Sequence, residues 1–183
     1  MAATVAQLAS EVYSAFQKKD VRLLRKINDR CIESIGMEFD SDTYNLAILS
    51  YVLSKILSKP RYFQKQGIAD FLASIRDSLA ECSSWAKKEN ERAFSASMKK
   101  TFKTIERLDS RDRRFVIKLQ EKAKLKVAST LYAQGFSLGQ ASELTGIEKR
   151  EILAYAGQTM MFDRVKEEKT IHDRLKVVRK IFG

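Results

Sequence analysis

The sequence predicts an all-α protein in which a bundle of helices is followed by a smaller, more basic helical module. Apolar residues make up 44% of the chain, whereas glycine occurs only seven times and proline once. So few turn-forming residues indicate long helices rather than many short strands. Apolar residues also recur every three or four positions along most of the chain, which is the spacing of a buried helical face.

The N-terminal part is predicted to form five amphipathic helices, each with an apolar stripe that indicates core packing. The first runs from about Thr4 to Lys19, and Asp20 is the predicted N-cap of the second. Ser41 or Asp42 is expected to cap the third helix, which is the most apolar and which ends before the proline at position 60. We expect this third helix to lie at the centre of the bundle.

A boundary is predicted near Asp109, where the block LDSRDRRF concentrates charge. It separates a helical bundle over residues 1–110 from a basic module over residues 111–183. The module should begin with a helix that runs to Ala133 and ends at Gly135. It is the shorter part, yet it carries more than half of the net charge of +11. This excess favours a polyanionic partner, nucleic acid before membrane, although a basic surface can also be merely well solvated.

No catalytic, metal or cofactor site is predicted. His172 is the sole histidine and is flanked by charged residues, while Cys31 and Cys82 lie far apart, as buried thiols of a reducing compartment do. The N-terminus lacks the features of a signal peptide, and no apolar run is long enough to span a membrane. We therefore expect a noncatalytic cytoplasmic protein without a membrane partner.

Residues 136–157 read FSLGQASELTGIEKREILAYAG, which predicts two short helices joined by a tight turn. Ser137 and Gln140 form the S-x-x-Q pattern of a capping box at the start of the first helix. Gly146 supplies the left-handed backbone that ends it. A second helix should follow from about Glu148 and stop at Gly157.

The segment QASELTGIEKREILAY resembles the helix-turn-helix of bacterial and archaeal DNA-binding regulators. In such segments a small residue, then glycine and an aliphatic residue precede the recognition helix, and Ser142, Gly146 and Ile147 occupy those positions here. The resemblance covers residues 137–156. It implies a helix-turn-helix module and noncatalytic binding of double-stranded DNA, as a transcriptional regulator or a related DNA-associated factor.

The resemblance implies that the second helix enters the major groove with its first residues toward the bases. Arg150 is then the candidate for a guanine contact, and Lys149 for a base or phosphate, while Glu148 and Glu151 oppose binding to phosphates. Other basic or polar side chains are candidates for DNA contact, although the lysines among them could instead only solvate a long helix. They are Lys118, Lys122, Lys126, Gln140, Arg174, Lys176, Arg179 and Lys180.

A terminal helix is predicted after the motif, with an apolar stripe from Met161 to Phe182. This stripe could fold onto the motif or pair with a protein partner, and a homodimer would suit a helix-turn-helix. The alternative to DNA binding is a helical protein–protein adaptor, such as an antitoxin-like or complex-assembly subunit, in which the motif serves packing. RNA binding comes third. Lys149 and Arg150 discriminate between the first two, since exposure in line with the lysines favours DNA and burial favours an adaptor.

Overall fold

The computed structural model describes residues 3–59, 67–107 and 113–164, and within these ranges the chain is all-helical, without a strand. The prediction of an all-α fold is thus confirmed for this part of the chain. The helices are α1 (Val5–Gln17), α2 (Val21–Met37), α3 (Ser41–Leu57), α4 (Ile68–Lys87), α5 (Glu91–Arg107), α6 (Arg113–Ala133), α7 (Leu138–Thr145), α8 (Lys149–Gln158) and α9 (Met161–Arg164).

Side-chain caps fix where the first three helices begin. Thr4 forms a capping box with Gln7 at the start of α1. Asp20 caps α2 as predicted, since its carboxylate accepts the amide N–H of Leu23 at 2.9 Å. The predicted caps of α3, Ser41 or Asp42, are wrong, because Asp40 fills that role.

The carboxylate of Asp40 lies where it can accept two of the amide hydrogens that the first turn of α3 leaves unpaired. It accepts the N–H of Asp42 at 3.3 Å and that of Thr43 at 2.8 Å. Ser41 is therefore the first helical residue rather than the cap. In a run of three capping-type residues, the one that reaches these amides decides the boundary.

Helix α3 forms the core of the N-terminal bundle. Its residues 46–50 are buried without interruption, and Leu53 and Ile56 continue the buried face. Helix α2 packs along α3, α1 contacts both, and α4 packs against α1 and α5. These contacts agree with the prediction that the most apolar helix lies at the centre.

Short turns join α1 to α2, α2 to α3 and α4 to α5. Helix α3 ends at Leu57, and Pro60, the predicted stop, lies outside the described residues. Gly67 lies immediately before α4 and is left-handed, with a φ of 78°. The charged segment after Trp85 is a tight join between α4 and α5, where Asn90 Oδ1 accepts the N–H of Ala93 at 3.0 Å.

The chain divides into two compact units, Met1–Val127 and Ala128–Gly183. The division falls inside α6, whereas the sequence places the boundary after residue 110, in a stretch outside the described residues. A contact of the first unit gives a physical reason. The ammonium group of Lys126, on α6, donates to Asn28 and Asp29 of α2, which ties this part of α6 to the bundle.

The second unit contains the end of α6, then α7, α8 and α9. Helix α6 ends at Ala133, as predicted, and Gly135 has a φ of 104°. A small core is formed by buried apolar residues of all four helices. They are Ala128, Leu131, Ala141, Ile152, Ala156 and Met161.

The end of α8 differs from the prediction. Gly157 is still helical, and α8 ends at Gln158, because the backbone leaves the helix only at Thr159 and Met160. Met160 adopts the left-handed conformation that the sequence assigns to a glycine, with a φ of 47°. Of the predicted terminal helix, the described part is α9, and the apolar positions after residue 164 lie outside the described residues.

Candidate nucleic-acid interface

A capping box fixes the start of α7. The hydroxyl of Ser137 accepts the N–H of Gln140 at 3.1 Å, and the Gln140 side-chain oxygen accepts the N–H of Ser137 at 3.0 Å. The pattern predicted from the sequence is thus present. Gln140 was a candidate for DNA contact, and its side chain is exposed, but its oxygen already has this local partner.

Three residues close the turn between α7 and α8. Gly146 is left-handed, with a φ of 69°, and its N–H donates to the Ser142 carbonyl. The Ser142 hydroxyl donates to the carbonyl oxygen of Ile147 at 2.7 Å, which joins the last turn of α7 to the residue after the glycine. The small residue, the glycine and the aliphatic residue of the motif therefore meet within one turn.

Helix α8 is held in the second unit by one face. Ile152 and Ala156 are buried on that face, and the Ile152 carbonyl lies 3.4 Å from the Ser129 hydroxyl of α6. Glu148 precedes the helix in an extended conformation and makes no side-chain capping hydrogen bond. The opposite face, which includes Leu153, is exposed.

Lys149 and Arg150 lie in the first turn of α8, on its exposed face. Neither forms an ion pair with a carboxylate of the described residues. Both cations are therefore without a direct ion pair to a described carboxylate. The burial that would have favoured an adaptor is not observed for either residue.

Three acidic side chains are close in sequence to these two cations. Glu143, Glu148 and Glu151 are all exposed on α7, on α8 or between them. In the described residues of the second unit they offset the positive charge of Lys149 and Arg150. A polyanion would have to gain most of its electrostatic attraction from other parts of the chain.

The predicted lysine face of α6 has three members that differ in their surroundings. Lys122 is exposed, and the side chain of Lys118 lies outside the described part. Lys126 departs from the expected free cation: its ammonium group donates to Asn28 Oδ1 at 2.6 Å and to Asp29 Oδ1 at 2.9 Å. Only a quarter of its side chain is exposed, so the main role of Lys126 is to hold α6 against the bundle.

Two cations that sequence patterns did not single out, Arg25 and Lys55, lie in the same unit as Lys122 and Lys126. Burial lowers the pKa of Lys55, and the nearby positive charges of Arg25, Lys126 and Lys122 lower it further. No signal in the sequence could have grouped these residues, because they come from three helices. The four predicted tail contacts, Arg174, Lys176, Arg179 and Lys180, lie outside the described residues.

The thiols do not form a reactive site. Cys31 and Cys82 are free and buried, as predicted. Burial raises the pKa of Cys31 to about 12 and also raises that of Cys82, so both remain protonated at neutral pH. Among the described residues, His, Cys, Asp and Glu side chains form no group that could hold a metal ion.

Comparisons with protein-family models, with curated proteins and with solved structures found no match to this chain. None of the described helices is both long and apolar enough to span a bilayer. A function for the chain must therefore be argued from its own residues.

Proposed function

We propose that the protein binds double-stranded DNA without catalysis, using α7 and α8 as a helix-turn-helix. One observation carries the proposal: Lys149 and Arg150 are exposed in the first turn of α8 and have no carboxylate partner among the described residues. The other face of the same helix is fixed by the buried Ile152 and Ala156. Because one face of the helix is buried, the helix has little freedom to rotate, and the side chains of its first turn keep a fixed direction.

In this proposal α8 is the recognition helix and lies in the major groove. The guanidinium group of Arg150 offers two donors in the spacing of the two guanine acceptors, O6 and N7. Lys149 contacts a base or a phosphate, and the exposed amide group of Gln140 on α7 contacts the sugar-phosphate backbone of the DNA. Glu148 and Glu151 repel phosphates, so these contacts favour selectivity over general affinity.

A regulator of this kind would act in the cytoplasm as a factor that occupies chosen sites on DNA. A homodimer would place two recognition helices on successive turns of the duplex and raise both affinity and specificity. The dimer is inferred from the motif, and the cytoplasmic location from the two separate cysteines, which fit a reducing compartment.

A protein–protein adaptor is the second candidate, and exposed apolar side chains favour it. In the second unit Leu153 is 47% exposed, Met160 68% and Phe162 52%. Exposed apolar groups close together in sequence favour contact with a protein. In an adaptor the turn at Gly146 would serve only to pack α7 against α8.

Selection of duplex sites from a random pool tests the proposal. The full chain should recover a preferred sequence, and Arg150→Ala should relax the preference at one position and cost about 1–3 kcal/mol of binding free energy there. Arg92→Ala is the matched control, since Arg92 is an exposed arginine of the first unit on α5. It should leave the preference intact. Failure of the wild-type chain to enrich any sequence would overturn base reading by α8.

A further inference from the structure

Four cations of the first unit gather at the C-terminal end of α3. Lys55 and Lys126 lie near the same aromatic ring, with their Nζ atoms 5.2 Å and 5.8 Å from the centroid of Tyr51. Arg25, on α2, places its Nη2 atom 3.4 Å from the hydroxyl of Ser58, the residue that follows α3. Lys122 lies one turn before Lys126 on α6. We call Arg25, Lys55, Lys122 and Lys126 the α3 cation cluster.

The cluster is short of negative charge. Lys126 pairs with Asp29, whereas Arg25, Lys55 and Lys122 form no ion pair with any carboxylate of the described residues. Burial lowers the pKa of Lys55, and the positive charges of Arg25, Lys126 and Lys122 lower it further. Mutual repulsion of this kind is relieved when an anion binds.

Lys126 is held in place rather than free to bind. Its ammonium group donates to Asn28, a buried residue whose own amide donates to the Ala47 carbonyl at 2.8 Å. This chain of hydrogen bonds links α6, α2 and α3. These are the helices that carry Lys122, Arg25 and Lys55, so the hydrogen bonds hold together the three backbones from which the other cations extend.

We propose that Arg25, Lys55 and Lys122 bind phosphate groups of double-stranded DNA, with Lys126 as a positioning residue. The choice of DNA rests on the function proposed for α7 and α8. The charge balance of the second unit supports it, since Glu143, Glu148 and Glu151 offset Lys149 and Arg150. A DNA-binding chain needs phosphate neutralisation for affinity, and the α3 cation cluster is a place in the described chain where unpaired cations concentrate.

A purely structural role makes a different prediction. Helix C-termini carry partial negative charge, and cations near them stabilise the helix. If Arg25 and Lys55 only complement the end of α3, their removal lowers the stability of the bundle and leaves phosphate binding unchanged.

The test compares two triple variants of the full chain with the same change in charge. One is Arg25→Gln/Lys55→Gln/Lys122→Gln. The control, Arg92→Gln/Lys99→Gln/Lys103→Gln, removes three exposed cations of α5. Affinity for random duplex DNA is measured over a range of salt concentrations, and urea unfolding checks that each variant is folded.

The cluster variant should show a salt slope shallower by about 0.9 for each phosphate that it no longer neutralises, and its affinity should fall more than that of the control. Equal slopes in the cluster variant and the wild-type chain, with DNA binding retained, would overturn the α3 cation cluster as a phosphate site. DNA binding as a function would then still stand.

Binding of inorganic tripolyphosphate tests the α3 cation cluster as a phosphate site independently of DNA binding. The wild-type chain should bind it, the cluster variant should lose that binding and the control should keep it. If the wild-type chain binds tripolyphosphate in this way but does not bind duplex DNA, the cluster is supported as a phosphate site and the DNA function is overturned. Equal tripolyphosphate binding by all three chains would overturn the cluster.

Discussion

The hydroxyl of Ser142 donates a 2.7 Å hydrogen bond to the carbonyl oxygen of Ile147, across the turn that joins α7 to α8. Gly146 lies between the two residues in the left-handed conformation. This bond links the last turn of α7 to the residue after the glycine, and so helps to fix the direction of α8 relative to α7. The orientation of Lys149 and Arg150, which follow Ile147 closely, depends on this turn.

Replacing Ser142 by alanine should loosen the turn. Loss of a part-buried hydrogen bond lowers the free energy of unfolding by about 0.5–1.5 kcal/mol. The higher helix propensity of alanine offsets a few tenths of a kcal/mol of this loss. Amide hydrogen exchange of α7 and α8 in the full chain measures the effect. Ser84→Ala on α4 is the control, because Ser84 is exposed and its hydroxyl has no partner within the described chain. Unchanged exchange in Ser142→Ala would show that the bond does not hold the turn.

Two glycines of the second unit should respond to alanine in opposite directions. A Cβ atom added at Gly146 or at Gly157 would meet nothing within 4 Å, so steric overlap is absent at both. Gly146 has a φ of 69°, and an L side chain in the left-handed region costs about 1–2 kcal/mol.

Gly157 lies in α8, where alanine should stabilise the helix by about 0.5 kcal/mol. Hydrogen exchange of the same amides measures both variants. If Gly146→Ala is as stable as Gly157→Ala, the turn does not require a left-handed residue.

Stability should fall with rising pH in a way that depends on Cys31. Burial raises the pKa of its thiol from 9.0 to about 12 in the folded chain. Between these values the unfolded chain releases the thiol proton and the folded chain keeps it. The free energy of unfolding therefore decreases as pH rises above 9, by at most about 1.4 kcal/mol per pH unit.

Urea unfolding of the wild-type chain and of Cys31→Ala from about pH 8 to about pH 11 isolates this contribution. Tyr44, whose pKa is also raised to about 12, titrates in both chains and cancels in the comparison. The variant should be less stable at the lower pH, owing to the cavity it creates, and the difference should shrink as pH rises. A constant difference in the free energy of unfolding would show that burial does not raise the pKa of the Cys31 thiol.

Charge reversal should lower stability at Lys126 and weaken DNA binding at Lys122. Lys126→Glu removes the donor to Asn28 Oδ1 and brings a carboxylate to Asp29, so we expect a loss of about 1–3 kcal/mol in the free energy of unfolding. Lys122→Glu on the exposed part of α6 should change stability by less than about 0.5 kcal/mol, while weakening DNA binding. Equal stability of the two variants, measured by urea unfolding, would contradict the positioning role of Lys126.

The features that the sequence predicted well are those that depend on residues a few positions apart. The Asp20 cap, the Ser137–Gln140 capping box and the left-handed Gly146 each involve contacts within one helical turn. The apolar stripe of α3 likewise predicted a buried central helix, because burial of one face follows from its spacing. Such features can be read without knowledge of the fold.

Other features depended on geometry that a sequence pattern does not contain. Asp40, Ser41 and Asp42 are all capping-type residues, and only the direction of the chain entering α3 selects Asp40. Met160 ends α8 in a conformation that non-glycine residues rarely adopt, so Gly157 was the more natural prediction. Lys126 and Asn28 are 98 residues apart in the chain, and their contact follows only from how α6 lies on α2.

The central claim is that the protein binds double-stranded DNA, and a salt titration tests it most directly. The full wild-type chain is mixed with a random-sequence duplex at low salt, and its affinity is followed as salt increases. We expect binding at low salt and a linear fall of log K with log salt concentration, because neutralised phosphates release their counterions. Undetectable binding at low salt, or an affinity that does not depend on salt, would contradict the claim.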